Sequence, residues 1–237
     1  MIVEPSIPRS SGGVRLGAAL FNGDHGHLAD EVARLEEAGL DFVHLDFFDG
    51  YFVPDVGFSP RTIGALRKLT RLPFEVHMGV AEPARFIPAL IDAGADLILF
   101  HVESSRMAFE TVFSIHLLKV RAGVALSLGT PLGTLEPLMG QVDAVLLLSR
   151  VTGEGTKGAS FDPAAIPRVR AARGMADAGT GLCDIQVAGG VNRTNAAALA
   201  AAGATTLTLG AGIYAATDMR KEVAEVRDLA ARALTRK

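Results

Sequence analysis

Histidines and carboxylates recur at the ends of three apolar segments of this chain. His44-Leu45-Asp46 closes the second segment, His77 follows Glu75 near the end of the third, and His101 and Glu103 end the fourth. In an extended strand alternate residues share a face, so His44 and Asp46 point the same way. Two imidazoles and a carboxylate from neighbouring strand ends form a donor set for a divalent metal, with coordination positions left open. The competing reading is a group of buried histidines bonded to backbone or carboxylates. What favours chemistry is that the residues share one end of consecutive strands.

A second group of residues suits an anion. Ala188-Gly189-Gly190-Val191-Asn192 and Leu209-Gly210-Ala211-Gly212 follow the seventh and eighth apolar segments. Small residues there let backbone N–H groups and a helix N-terminus approach a phosphate; ordinary tight turns are the alternative. The stretch Thr152-Gly153-Glu154-Gly155-Thr156-Lys157-Gly158 reads either as a lid or as a solvated loop. As a lid it would bring Lys157 to a phosphate and Glu154 into the site. Met78 and Phe48 adjoin the candidate metal residues, where apolar walls would sandwich a substrate, with core packing as the alternative. His25 and His27 fall in the first loop, where capping or solvent explains them and substrate contact is the alternative, and His116 reads as a structural mid-helix residue.

Positioning these side chains requires alternating elements. Strands are expected at Val14–Leu20, Asp41–Asp46, Pro73–Met78, Asp96–His101, Ala122–Ser127, Val142–Ser149, Asp184–Ala188 and Thr205–Gly210. Their apolar runs show no strict alternation, as befits strands buried on both faces. Helical periodicity falls between them, at His27–Ala38, Ser59–Leu69, Pro83–Ala93, Asp162–Arg173 and Asn192–Ala202. The phrases Glu37-Ala38-Gly39-Leu40-Asp41, Asp92-Ala93-Gly94-Ala95-Asp96 and Ala201-Ala202-Gly203-Ala204-Thr205 each place a glycine where a helix should end before a strand begins. Eight such units in 237 residues predict a single (β/α)8 barrel over residues 14–237 behind an irregular lead-in, 1–13. An open doubly wound sheet is the alternative. Against it, Asn22-Gly23-Asp24-His25-Gly26 is no dinucleotide fingerprint.

Composition excludes several classes. Apolar residues make up 49% and charged residues 21%, enough for a substantial core. The net charge of −3 gives no reason to expect nucleic acid or an anionic membrane as partner. The single cysteine, Cys183, excludes an internal disulfide and a Cys-rich zinc site. Residues 1–13 lack a charged start and an apolar stretch, and the apolar runs are strand-sized, so a cytoplasmic setting is expected.

The stretch His44-Leu45-Asp46-Phe47-Phe48-Asp49-Gly50-Tyr51-Phe52-Val53-Pro54 closely resembles the signature of ribulose-phosphate 3-epimerases. The likeness continues through Val76-His77-Met78, His101-Val102-Glu103, Val124-Ala125-Leu126, Thr130-Pro131-Leu132 and Gly189-Gly190-Val191-Asn192. It implies a (β/α)8 barrel and one divalent ion (Zn, Fe, Mn or Co), with ligands falling on His44, Asp46 and His77. It makes Asp46 one of two acid/base groups, and phosphate contacts fall on Gly189, Gly190, Gly210 and Ala211. The implied substrate is a small phosphorylated sugar, and the implied assembly is a homo-oligomer. The implied chemistry removes the C3 proton of a ketose phosphate, forms a cis-enediolate and returns a proton on the opposite face.

The chain departs from that pattern at the reacting end. The second carboxylate of the E-V-D-G-G-V motif is Ala188 here, and Asp184 lies ~13 Å away toward the other end of the strand. A first-strand serine falls on Ala19, and two methionines become Phe48 and Gly79. The lid is longer, and the phosphate-loop Gly-Ser is Gly210-Ala211. Three functions remain open. One is an epimerase with Glu154 or a metal-bound water as second proton donor. Another is a lyase of the same barrel, aldolase or decarboxylase, with proton control on one face only. The third is a sugar-phosphate binder without turnover.

Overall fold

The computed structural model describes residues 13–151, 160–179 and 183–235. Eight strands close into a parallel barrel in sequence order: β1 Arg15–Ala19, β2 Phe42–Phe48, β3 Phe74–Gly79, β4 Leu97–His101, β5 Arg121–Leu126, β6 Ala144–Leu148, β7 Asp184–Val191 and β8 Thr206–Leu209. Helices α1 Leu28–Glu37, α2 Pro60–Leu66, α3 Ile87–Asp92 and α4 Ala108–Leu117 separate the first five strands. A 3-10 turn, Leu132–Leu135, stands between β5 and β6, and α5 Ala165–Ala178 and α6 Ala196–Ala201 follow β6 and β7. After β8 come a short α7, Ala211–Tyr214, and the long α8, Met219–Leu234. The (β/α)8 expectation is met, and the three predicted capping glycines have φ of +80° (Gly39), +96° (Gly94) and +107° (Gly203).

Burial on both faces explains the unbroken apolar strands. One parity of residues, including Leu45, Phe47, Val76, Met78, Ile98 and Phe100, packs outward against the helices. The other parity fills the interior, where Leu97, Leu99, Ala125, Ala144, Leu146, Leu148 and Ala188 form a separate apolar cluster. The floor is polar. Asp184 at the start of β7 accepts from Arg15 Nη2 at 2.7 Å and from Arg121 Nη2 at 2.9 Å. It therefore serves the opposite end of the barrel from His44, Asp46 and His77, as its sequence position predicted.

The register fixes the functional end. His44 lies beside Glu75, and Asp46 beside His77, across the β2–β3 pair. His77 lies beside Leu99 across β3–β4, so His101 sits one inward step further along. No described helix is long and apolar enough to cross a membrane.

Asp184 binds the buried guanidinium of Arg121 and the partly buried one of Arg15, and its removal would leave them without their shared anion. The expected cost of Asp184→Ala is about 3–5 kcal/mol of stability, read by chemical denaturation. An unchanged midpoint would contradict the role of this floor.

Candidate active site

His44, Asp46 and His77 offer ligand atoms that all lie within 4.8 Å of one another. All three are buried, at 1%, 8% and 5% exposure. His77 Nδ1 stands 3.1 Å from Asp46 Oδ1, and His44 Nε2 stands 3.5 Å from the same oxygen. Both imidazoles therefore converge on Oδ1. Among the described residues no group donates to Oδ2 of Asp46.

Electrostatics keep this group charged despite its burial. Desolvation opposes ionisation of Asp46, but His44 and then His77 outweigh it and hold the carboxyl well below its usual range. Burial likewise disfavours a charged His44. The carboxylates of Asp46 and Glu75 overcome it and raise its pKa to about 10. His77 goes the other way: burial, with His101 and His44 nearby, lowers it to about 4 against the pull of Asp46. Without a metal the trio at neutral pH is an anionic Asp46, a protonated His44 and a neutral His77.

These residues fit a divalent ion. Glu75 Oε1 lies 2.7 Å from His44 Nδ1, and a carboxylate only accepts, so Nδ1 carries a proton and Nε2 faces Asp46. Carboxylate–histidine–metal arrangements of this kind fix which nitrogen is the ligand. His44 Nε2, Asp46 Oδ1 and His77 Nδ1 form a two-nitrogen, one-oxygen donor set at cis-ligand spacing.

Apolar rings roof the cluster. Phe48 meets the His77 ring nearly edge-on, with centroids 5.8 Å apart, and Phe52 lies 5.0 Å from the His101 ring. Phe21 and Phe58 extend the wall. Phe48 thus stands beside the cluster, and Gly79 explains how it fits. A Cβ on Gly79 would stand 2.6 Å from Cδ1 of Phe48, so the large residue on β2 requires the missing side chain on β3. Met78 must be corrected. The alternation that turns His77 inward turns Met78 outward, where it is fully buried between barrel and helices.

The other predicted positions divide. Gly189 and Gly190 take φ of +107° and +73° in the bulge that interrupts the β7–β8 pairing between Ala188 and Val191. A Cβ on Gly190 would come within 2.7 Å of the Phe161 backbone nitrogen, so only glycine fits there. The side-chain amides of Asn192 and Asn195 both donate to the Gly190 carbonyl at 3.0 Å, stiffening the loop. Gly210 caps the neighbouring α7, which Ala211 begins. Glu154, Lys157 and the rest of the expected lid lie outside the described residues. Ala188 belongs to the apolar interior cluster, so this end of β7 carries a methyl group where the family motif has a carboxylate, as the sequence indicated.

Sequence reasoning noted Glu75, His101 and Glu103 without seeing how they connect. His101 Nε2 lies 3.0 Å from His77 Nε2, and His101 Nδ1 lies 3.1 Å from Glu103 Oε2. The other Glu103 oxygen accepts from Ser127 N at 2.8 Å and from the Thr130 hydroxyl. Burial disfavours an ionised Glu103, but these bonds from His101, Thr130 and Ser127 lower it to about 2. Arg168, which the sequence did not single out, donates to the carbonyls of Ser127 and Thr130 at 3.2 and 2.7 Å.

A parallel eight-stranded barrel with a His-Asp-His cluster at its C-terminal rim defines a class of barrel proteins able to hold a metal at the functional face. Comparison narrows it. The profile described as the ribulose-phosphate 3 epimerase family matches residues 15–214. The ribulose-phosphate 3-epimerase of Bacillus subtilis is 34% identical over 216 residues, covering 90% of this chain and 98% of that protein. Ribulose-phosphate 3-epimerase 1 of Cupriavidus necator is 36% identical over 209 residues, covering 86% of each. This chain belongs to the ribulose-phosphate 3-epimerase family. Among solved structures, KGPDC from Streptococcus mutans superposes with a TM-score of 0.70 at 13% identity, covering 93% of this chain and 99% of that one. That likeness shows the shared barrel alone.

A metal ligand must be an unprotonated imidazole, and His44 is protonated until a metal arrives. Binding of zinc near neutral pH should therefore release about one proton per ion. Calorimetry in buffers of different ionisation enthalpy measures this number, and zinc binding with no proton release would contradict a protonated His44 in the metal-free protein.

Proposed function

We propose that this protein catalyses metal-dependent epimerisation at C3 of a ketose phosphate, with ribulose 5-phosphate and xylulose 5-phosphate as the pair to test. The observation that carries the reading is the convergence of His44 and His77 on one oxygen of Asp46 at the functional rim of a family barrel. His44, Asp46 and His77 would hold a divalent ion, which supplies polarisation of the ketose carbonyl and hydroxyl. The two oxygens of Asp46 then divide the work. Oδ1 faces the imidazoles, and Oδ2 takes the C3 proton from one face of the substrate. Phe48 presses the bound sugar toward this group and keeps water from it. Backbone N–H groups at Gly189, Gly190, Gly210 and Ala211 receive the phosphate, the first pair from a stiffened bulge.

Inversion needs a second proton donor facing Asp46. Ala188 cannot supply one, and Glu103 is committed to three donors. In this reading Glu154, which lies outside the described residues, supplies the second proton. The methyl group at 188 also favours a second reading, in which a proton moves on one face only, as in a lyase.

NMR in D₂O with ribulose 5-phosphate, after loading with zinc or iron, separates the readings. Deuterium at C3 with xylulose 5-phosphate appearing supports epimerisation. Exchange without inversion supports the one-face reaction, and no exchange contradicts both for this substrate. Asp46→Asn should lower exchange by on the order of 10²–10⁴. Ala188→Asp should raise inversion relative to exchange by restoring a carboxylate opposite Asp46, and an unchanged ratio would contradict the importance ascribed to that position.

A further inference from the structure

From the candidate ligand His77 a polar chain runs through buried His101 to Glu103 at the rim, and His101 and Glu103 have no part in the chemistry above. His101 is 1% exposed and His77 is 5% exposed, so solvent water does not compete for their nitrogens. Phe52 packs against the His101 ring and closes its outer side. The order of donors in this chain is forced. Glu103 has both oxygens occupied, Oε1 by Ser127 N–H and the Thr130 hydroxyl, Oε2 by His101. A carboxylate only accepts, so the proton between Glu103 and His101 belongs to His101 Nδ1.

His77 is constrained from its other end. Its Nδ1 faces Asp46 Oδ1 at 3.1 Å, on the side of the three candidate ligands. With a metal on Nδ1, that nitrogen cannot carry a proton, and a neutral imidazole then keeps its proton on Nε2. The atom 3.0 Å from Nε2 is His101 Nε2. It accepts that proton's bond because Glu103 has already claimed its partner nitrogen. A buried N–H without an acceptor would cost free energy comparable to a lost hydrogen bond.

We infer that His101 and Glu103 are a positioning pair that sets the tautomer of His77 and so presents its Nδ1 to the metal. They do for His77, through one additional ring, what Glu75 does directly for His44. The anchor reaches further than a lone carboxylate. Arg168 on α5 holds the Ser127 and Thr130 carbonyls, and the same two residues hold Glu103. The β5 loop, and through it α5, is thereby tied to a candidate metal ligand on β3.

The inference rests on the reading of His44, Asp46 and His77 as ligands, and the experiment separates the two. Zinc affinity is measured by competition with a chromophoric chelator, and the visible spectrum is recorded after Co(II) loading. Wild type and three variants are compared: His101→Phe, His101→Gln and Glu103→Leu. The expected result is a 10–100-fold loss of zinc affinity for His101→Phe and Glu103→Leu, with altered Co(II) bands. His101→Gln, whose amide oxygen can accept from His77, should stay close to wild type. A purely packing role would make His101→Gln as weak as His101→Phe, and that result overturns the inference. So does a His101→Phe variant with wild-type affinity and spectrum. If His101→Phe does not fold, Glu103→Leu at the rim decides by the same criterion. A wild-type protein that binds no zinc would overturn the ligand assignment itself. Binding that the variants leave untouched would overturn the positioning pair alone.

Discussion

A carboxylate buried between two imidazoles governs the functional end of this barrel. Asp46 has lost nearly all contact with water, yet His44 and His77 keep it ionised. Burying such a group is costly unless neighbours compensate, and here compensation comes from adjacent strands in fixed register. The arrangement asks for a cation. Each imidazole is oriented from behind, His44 by Glu75 and His77 by His101, so that a nitrogen of each faces one oxygen. The aromatic roof of Phe48 and Phe52 lowers the local polarity and strengthens these interactions.

The two ends of the sugar-phosphate reading are built differently. The phosphate end depends on backbone shape: a bulge that only glycine can make, stiffened by two asparagine amides. The reacting end depends on side-chain chemistry, and there the chain has been edited. Phe48 and Gly79 are one change rather than two, since the ring occupies the space a side chain at 79 would need. Ala188 is different, because it completes an apolar layer with Leu99, Leu146 and Leu148 and leaves no partner for a substrate hydroxyl or proton. A proton arriving on the second face must then come from a group other than residue 188.

Much of this was legible in the residues. The alternation of His44 and Asp46, the spacing of the capping glycines and the apolar strands specify the barrel and its rim, because burial and backbone geometry act locally. The family motif located His77 and exposed the loss at 188. Met78 was misplaced although the same alternation that turns His77 inward would have corrected it. The reciprocity of Phe48 and Gly79 was not legible, since it depends on two strands meeting in register. Neither was the path from Glu103 to Asp46, whose links come from three strands and become visible only when their offsets are known. Arg168 gave no sequence signal, because its partners are backbone carbonyls.

The central claim is that His44, Asp46 and His77 together hold a divalent ion. The most direct measurement is an anomalous-difference map, collected at the zinc absorption edge from crystals of the zinc-loaded protein. The account predicts one strong peak at about 2.1 Å from His44 Nε2, His77 Nδ1 and Asp46 Oδ1. A peak bound elsewhere, or an empty cluster in crystals that carry zinc at another position, would contradict it.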